Sequence, residues 1–395
     1  MAELVTNLKK LKVKIFSHND LDGISCAIVL KKLYDESKIS LSFTYISYDQ
    51  ISEISRFFEN YDEARMYDFV IISDINIKKD DYHHFIQPQF NRFISEKNNY
   101  QNREKLNLFK KMFIIDHHKD SEETFRPIEN SIFDNVEYYN DTIHCATYQL
   151  YDWCINQRSR IWNEYVSSGF NRNFDINKQW LREYIELVND WDIFLWKEKN
   201  NLIARDLNIL FTHIRREKFM MMQNQKISIH FAFNSTEKTI IRETLESINK
   251  EFHRCWKDAV YVPLHNPITD QVHKNVTCLV IRADENVSLI SDMFREMITH
   301  ERYDIDIIVN ISFKYGSVNF RRINENIDLK EIANWYGGGG HPFAAGCPLN
   351  YHDKNLMNDF VNPLMAANYD PHRVIKDMEA GEDLYKRIYT GHIPK

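Results

Sequence analysis

At 395 residues, with 43% hydrophobic and 13% aromatic side chains, the chain has ample apolar material to fold and is long for one core, so two domains with elaborations are expected. A formal net charge of −7 argues against a protein that tracks long nucleic acid with a basic surface, whereas a small anionic substrate held in a local pocket stays compatible. The six cysteines (Cys26, Cys145, Cys154, Cys255, Cys278, Cys347) form no C-x-x-C pair and read as reduced core residues of a soluble, cytoplasmic protein. The charged first twelve residues lack a signal-peptide core, and no apolar run approaches the ~18 residues that span a bilayer.

In chain order, the apolar run Val13–Ser17 reads as a buried strand that ends in His18-Asn19-Asp20-Leu21-Asp22-Gly23. A small and apolar, then amphipathic segment to Leu33 suits a helix against the sheet, with Gly23 letting the backbone turn closely. Leu41 to Tyr48 is expected to be a second strand, and Phe69–Ser73 a third, which runs into Asp74. The polar stretch Lys78–Lys111, with His83-His84, reads as a solvated helix or loop. Met112–Ile115 then delivers Asp116-His117-His118-Lys119. Ligands of open α/β sheets sit outside the carboxyl ends of parallel strands, so three strands ending in His and Asp should converge on one crevice.

Thr142–Trp153 has helical spacing, with His144 a surface or hydrogen-bonded residue. Ile161–Asn177 reads as an irregular insertion, and Leu181–Val188 as a helix ending in Asn189-Asp190-Trp191-Asp192. These expectations divide the chain into a first domain at 1–233, a linker at 234–267 and a second domain at 268–395 with a polar tail. In the second domain, Thr277–Ile281, Asp306–Phe313 and the alternating Val318–Arg322 are strands, and Ser288–Ile298 is a helix. A further helix capped by Asp328 runs out at Trp335-Tyr336, both read as core residues, into Gly337-Gly338-Gly339-Gly340-His341. Four consecutive glycines are entropically costly, and exposed N–H groups of Gly338, Gly339 and Gly340 beside His341 would form an anion nest.

His18-x-Asp20-x-Asp22-Gly23, then Asp74, then Asp116-His117-His118 resemble motifs I to III of the DHH phosphoesterase superfamily, and the Arg321 strand, helix and GGGGH-x-x-A-A-G resemble its DHHA1 domain. The resemblance spans His18 to Gly346. It implies an α/β fold: an N-terminal DHH domain with a mainly parallel sheet flanked by helices, and a smaller C-terminal α/β DHHA1 domain. It also implies two divalent cations, Mn²⁺ with Mg²⁺ as the alternative, a choice that suits a shell of imidazole and carboxylate without thiolate. By analogy, His18, Asp20 and Asp74 would hold one ion, and Asp22, Asp74, His117 and Asp190 the other, with Asp192 the alternative to Asp190. Asp116 would orient a ligating histidine. His118 would touch the phosphate or leaving oxygen. Arg321, Gly338, Gly339, Gly340 and His341 would bind substrate phosphate.

The activity implied is a metal-dependent phosphodiesterase acting on short RNA oligonucleotides, as in the nano-RNases, the B type more than the A type. A cyclic-dinucleotide phosphodiesterase, a 3′-phosphoadenosine-5′-phosphate phosphatase, a RecJ-type exonuclease and an inactive nucleotide-binding relative are the alternatives. No membrane partner and no stable complex with long nucleic acid are expected, and a homodimer is left open.

Overall fold

In a computed structural model the chain divides into two units, residues 1–241 and 242–395. The structure describes residues 10–47, 50–99, 111–129, 135–166, 169, 174–266 and 271–367. Parts of five expected features lie outside them: Tyr48, the end of the polar stretch before Lys111, residues 167–168 and 170–173 of the insertion, Pro267 of the linker, and most of the tail.

The first unit is built on five parallel strands, β1 (Leu11–His18), β2 (Ile39–Ile46), β3 (Phe69–Ser73), β4 (Lys111–Ile115) and β5 (Val136–Tyr139), in the order β2-β1-β3-β4-β5. β3 is buried throughout, and β1 and β4 nearly so, because helices cover both faces of a parallel sheet. One face carries Phe16, Val70, Ile72, Met112 and Ile114 against Phe57, Phe58, Phe90 and Phe93. On the other face Phe69 and Phe113 pack on Trp162, and Phe113 also on Trp153.

Three helices matter for the site: α1 (Leu21–Leu33), α2 (Ala146–Ile155) and α3 (Phe174–Asp192). Two sequence expectations are revised here. The stretch after Lys78 is not simply solvated, since Tyr82, Ile86, Phe90 and Phe93 are buried and only its outer side, with His83 and His84, faces water. The start of the expected insertion is regular: a helix at Arg160–Val166 sinks Trp162 into the core, where its indole N–H donates to the Tyr34 hydroxyl at 2.8 Å. Asn and Ser in that stretch masked one apolar anchor.

The expected linker holds α4 (Ser235–Asp258) and strand β6 (Val260–Asn266). A reciprocal cap starts α4: Asn234 Oδ1 accepts the Glu237 N–H at 2.9 Å, and Glu237 Oε2 accepts the Asn234 N–H at 2.8 Å. β6 pairs with β7 (Gln271–Arg282), followed by α5 (Val287–Glu301), β8 (Ile307–Ser312), β9 (Ser317–Arg322), α6 (Leu329–Trp335), β10 (Gly339–His341) and β11 (Ala344–Pro348). These strands form the second sheet in the order β10-β11-β9-β8-β7-β6, with only β7 and β8 parallel. Trp335 and Tyr336 pack with this unit's core, and the Tyr336 hydroxyl meets Asp359 at 2.8 Å. Among the described residues no helix is long and apolar enough to cross a membrane.

Candidate metal centre

The strand order reverses between β1 and β3, and the chemistry-bearing side chains stand at the carboxyl ends of β1, β3 and β4 beside that switch point. At the tip of β1, Asp20 acts as the N-cap of α1 through Oδ1, which accepts the Gly23 N–H at 3.0 Å, while Oδ2 lies 2.8 Å from His18 Nδ1. Gly23 is required by close approach: a Cβ there would sit 2.2 Å from the His18 carbonyl oxygen and push helix and strand apart. Asp22, 1% exposed, accepts the N–H groups of Ala146 at 2.7 Å and Thr147 at 2.9 Å. The N-terminus of α2 thereby supports its negative charge.

Asp74 follows β3 in the left-handed region with φ +56°, a conformation that Asp tolerates better than most residues. Its Oδ1 lies 3.4 Å from His117 Nε2, and its Oδ2 lies 4.0 Å from His18 Nδ1. One carboxylate therefore faces two histidines on two strands. His117 Nε2 also lies 3.4 Å from Asp192 Oδ2, at the end of α3. The ligand atoms of His18, Asp20 and Asp74 fall within 4.8 Å of one another, and so do those of Asp22, His117 and Asp192. A third such group joins Asp74, Asp116, His117 and His118.

The charges in this cluster are mutually unfavourable. Burial, and then the carboxylates of Asp20, Asp22 and Asp192, push the Asp74 carboxyl well above its usual range. Burial, then Asp22, Asp20 and Asp116, do the same to Asp192. Burial and the neighbouring His118 lower the pKa of His117. Burial opposes the charged form of Asp116, but the charge and hydrogen bond of His118 outweigh it and hold the carboxyl at about 2. His118 is raised in return, since Asp116 outweighs its burial. Asp74 Oδ2, Asp116 Oδ2 and Asp192 Oδ2 are buried without a hydrogen-bond donor. Crowded carboxylates, donorless buried oxygens and a set of oxygen and imidazole donors fit hard divalent cations.

Several sequence-derived assignments change. Asp190, chosen as a ligand, is turned away: its Oδ1 meets Lys199 Nζ at 2.6 Å and its Oδ2 accepts from Asn201 Nδ2 at 2.8 Å. Two residues apart on a helix is a rotation of about 200°, so only one of the pair can face the strand tips. Asp192 is that one. Asn189 serves the scaffold, its Oδ1 accepting the Cys145 N–H at 2.9 Å where α2 begins, and sequence alone offered no signal for it. Asp116 pairs with His118 Nδ1 at 2.8 Å and so orients that histidine. His144 is hydrogen-bonded, as Nδ1 meets Asp141 Oδ2 at 2.8 Å.

In the second unit, one of the three glycines expected to form an anion nest, Gly338, spends its N–H within the chain. The N–H groups of Gly337 and Gly338 donate to Asn334 and Ala333 at the end of α6, which closes the helix. A Cβ on Gly338 would lie 2.1 Å from the Gly346 carbonyl oxygen. Gly340 has φ +134° and stands opposite Ala345 in the β10–β11 ladder, so a side chain is excluded by conformation and space. His341 is exposed and stacks on Phe343 at 5.4 Å. Arg321, 12% exposed, lies with Nε 3.5 Å from Asp292 Oδ1, while one terminal nitrogen donates to the Phe320 carbonyl at 3.1 Å.

No protein-family model matches the chain. It is 26% identical over 343 residues to the oligoribonuclease NrnB of Bacillus subtilis, covering 85% of this chain and 72% of that protein. Among solved structures it resembles the pGpG-specific phosphodiesterase PggH of Vibrio cholerae (14% identity, 91% of this chain and 100% of that one, TM-score 0.42). It also resembles RecJ of Thermus thermophilus in complex with Mn²⁺ (12% identity, 91% of this chain and 52% of that one, TM-score 0.44). Both superpositions are loose. The match to NrnB, over 85% of this chain, is in keeping with the resemblance to the DHH phosphoesterase superfamily that the sequence motifs carry.

Proposed function

We propose that the protein is a two-cation phosphodiesterase that hydrolyses short RNA oligonucleotides, dinucleotides included, to mononucleotides. The observation that carries this reading is Asp74, whose two oxygens face His18 on one side and His117 on the other. Within it, His18, Asp20 and Asp74 would hold one Mn²⁺, and Asp74, Asp22, His117 and Asp192 the second. Two such ions supply Lewis acidity toward a phosphate and lower the pKa of water. With Nδ1 donating to Asp116, His118 presents Nε2 to a phosphate or leaving oxygen, and the raised pKa of its ring favours the protonated, donating form. The kinship with a protein named oligoribonuclease supports RNA as the substrate class. Arg321 remains the candidate phosphate ligand of the second unit, with Asp292 fixing its Nε edge.

Purified protein with Mn²⁺ is offered 5′-labelled RNA of two to about ten nucleotides, a cyclic dinucleotide and 3′-phosphoadenosine-5′-phosphate in parallel, because specificity is a ratio of kcat/KM values. The reading expects the dinucleotide to become mononucleotides fastest and Asp74→Asn to abolish this. Preference for the cyclic compound or the bisphosphate would overturn the substrate assignment, and turnover of none would overturn the enzyme.

A further inference from the structure

Helices α2 and α3 each bring one end to the metal centre. The N-terminus of α2 holds Asp22 through Ala146 and Thr147, and the C-terminus of α3 carries Asp192. Between their outer sides runs a groove of about 260 Å³ that takes Tyr148, Tyr151 and Ile155 from α2 and Lys178, Arg182 and Ile185 from α3. Tyr148 directly follows Thr147, one of the two residues whose N–H groups hold Asp22.

Its chemistry is aromatic on one wall and cationic on the other. Ile185, 1% exposed, lies beneath. Tyr151 from α2 and Arg182 from α3 both line the groove. Two carboxylates also line it, Asp152 and Glu186. Asp152 Oδ2 accepts from the Tyr139 hydroxyl at 2.8 Å and from Arg158 Nε at 3.0 Å.

At the head of the groove stands a second, independent construction. His144 lies flat on Tyr148, with ring centroids 3.9 Å apart and planes 8° from parallel. Asp141 locks this stack in place by accepting the His144 backbone N–H at 3.0 Å and its Nδ1 at 2.8 Å. A partly exposed, pre-stacked pair of rings at the head of a groove that carries Lys178 and Arg182 suits an unpaired base, whose π-face stacks on aromatic rings while its backbone follows cations.

We propose that the α2–α3 groove is an extended subsite for single-stranded oligonucleotides, in which the His144–Tyr148 stack takes a base and Arg182 with Lys178 takes the backbone beyond the scissile phosphate. The proposal rests on the phosphodiesterase reading only for the direction in which the strand runs. It predicts that the protein grips strands longer than a dinucleotide through groups that a dinucleotide cannot reach.

The test uses the full chain carrying Lys178→Glu and Arg182→Glu, with the charge-matched Lys250→Glu and Lys257→Glu pair as control. Binding of a fluorescently labelled RNA tetranucleotide is measured by anisotropy in an Asp74→Asn background, so that it does not depend on turnover. In cleavage-competent protein, the ratio of kcat/KM for tetranucleotide over dinucleotide is measured. The groove reversal is expected to weaken tetranucleotide binding about tenfold, to lower that ratio by a similar factor, and to flatten the salt dependence of binding by about 0.7 in slope for each phosphate no longer neutralised. The control pair should change none of these. His144→Ala should weaken tetranucleotide binding without altering the salt slope, as expected for stacking. Equal tetranucleotide affinity in the reversed and control proteins would overturn the groove, whatever the substrate assay shows. A protein that binds through the groove and cleaves no RNA would instead overturn the phosphodiesterase reading alone.

Discussion

The end of the parallel sheet and the glycine loop of the second unit were equally conspicuous in the sequence, and the structure treats them in opposite ways. At the sheet end, buried oxygens of Asp74, Asp116 and Asp192 have no donor, and like charges crowd until the carboxyl groups of Asp74 and Asp192 resist ionisation. In the loop, the N–H groups of Gly337 and Gly338 close a helix, and Gly338 makes room for a carbonyl. The Gly338 N–H is satisfied within the chain, whereas the donorless buried oxygens at the sheet end call for a partner from outside it. The same contrast recurs within three residues, where Asp190 is fully engaged by Lys199 and Asn201 and Asp192 is not.

The contrast is broken first at its strongest point. Asp74→Asn and Asp192→Asn should each lower kcat by about 10³-fold or more with the fold retained, in the range seen when one preorganised charge-stabilising group is lost. Steady-state kinetics beside a far-UV spectrum checks this, and activity within a few-fold of the parent in Asp192→Asn would remove that residue from the site. Asp116→Asn should cost less, roughly 10- to 100-fold, because it acts through the orientation of His118.

The loop should answer in stability. Gly338→Ala is expected to lower the stability of the second unit by about 1–3 kcal/mol, because the new methyl meets backbone that cannot move aside. Gly339→Ala should change it by less than about 0.5 kcal/mol, since its Cβ would meet only Asn334 Oδ1 at 4.0 Å. Thermal denaturation of the pair separates packing from any role in binding.

The smallest effect expected is in pH. Raised carboxyl pKa values mean that the metal-free cluster keeps protons at pH values where a free Asp has lost them, so a cation must displace them. Apparent Mn²⁺ affinity should therefore rise with pH above the ordinary carboxylate range, and binding should release protons. Calorimetry in two buffers of different ionisation enthalpy measures that release. Proton uptake would contradict the assignment of Asp74 and Asp192 as buried ligands.

Much of this was legible in the residues. The tips of β1, β3 and β4 announced themselves because apolar runs stop abruptly at His and Asp, and a parallel sheet leaves such tips only one shared edge. Asp190 and Asp192 could not be separated in the same way: the rotation of α3 about its axis is fixed by how Trp180, Leu181, Tyr184 and Val188 pack, which no local pattern states. Nor could the glycines be read, since the group that demands Gly338 is the Gly346 carbonyl, brought beside it only when β10 and β11 pair. Trp162 was hidden for the reverse reason, a single long-range anchor set in polar sequence.

The central claim is that Asp74, Asp22, His117 and Asp192, with His18 and Asp20, hold two cations while Asp190 holds none. Equilibrium dialysis against Mn²⁺ tests it directly. The parent and Asp190→Asn should each bind two ions per chain, whereas Asp192→Asn should bind one at the same free concentration. Loss of an ion in Asp190→Asn with two retained in Asp192→Asn would contradict the account.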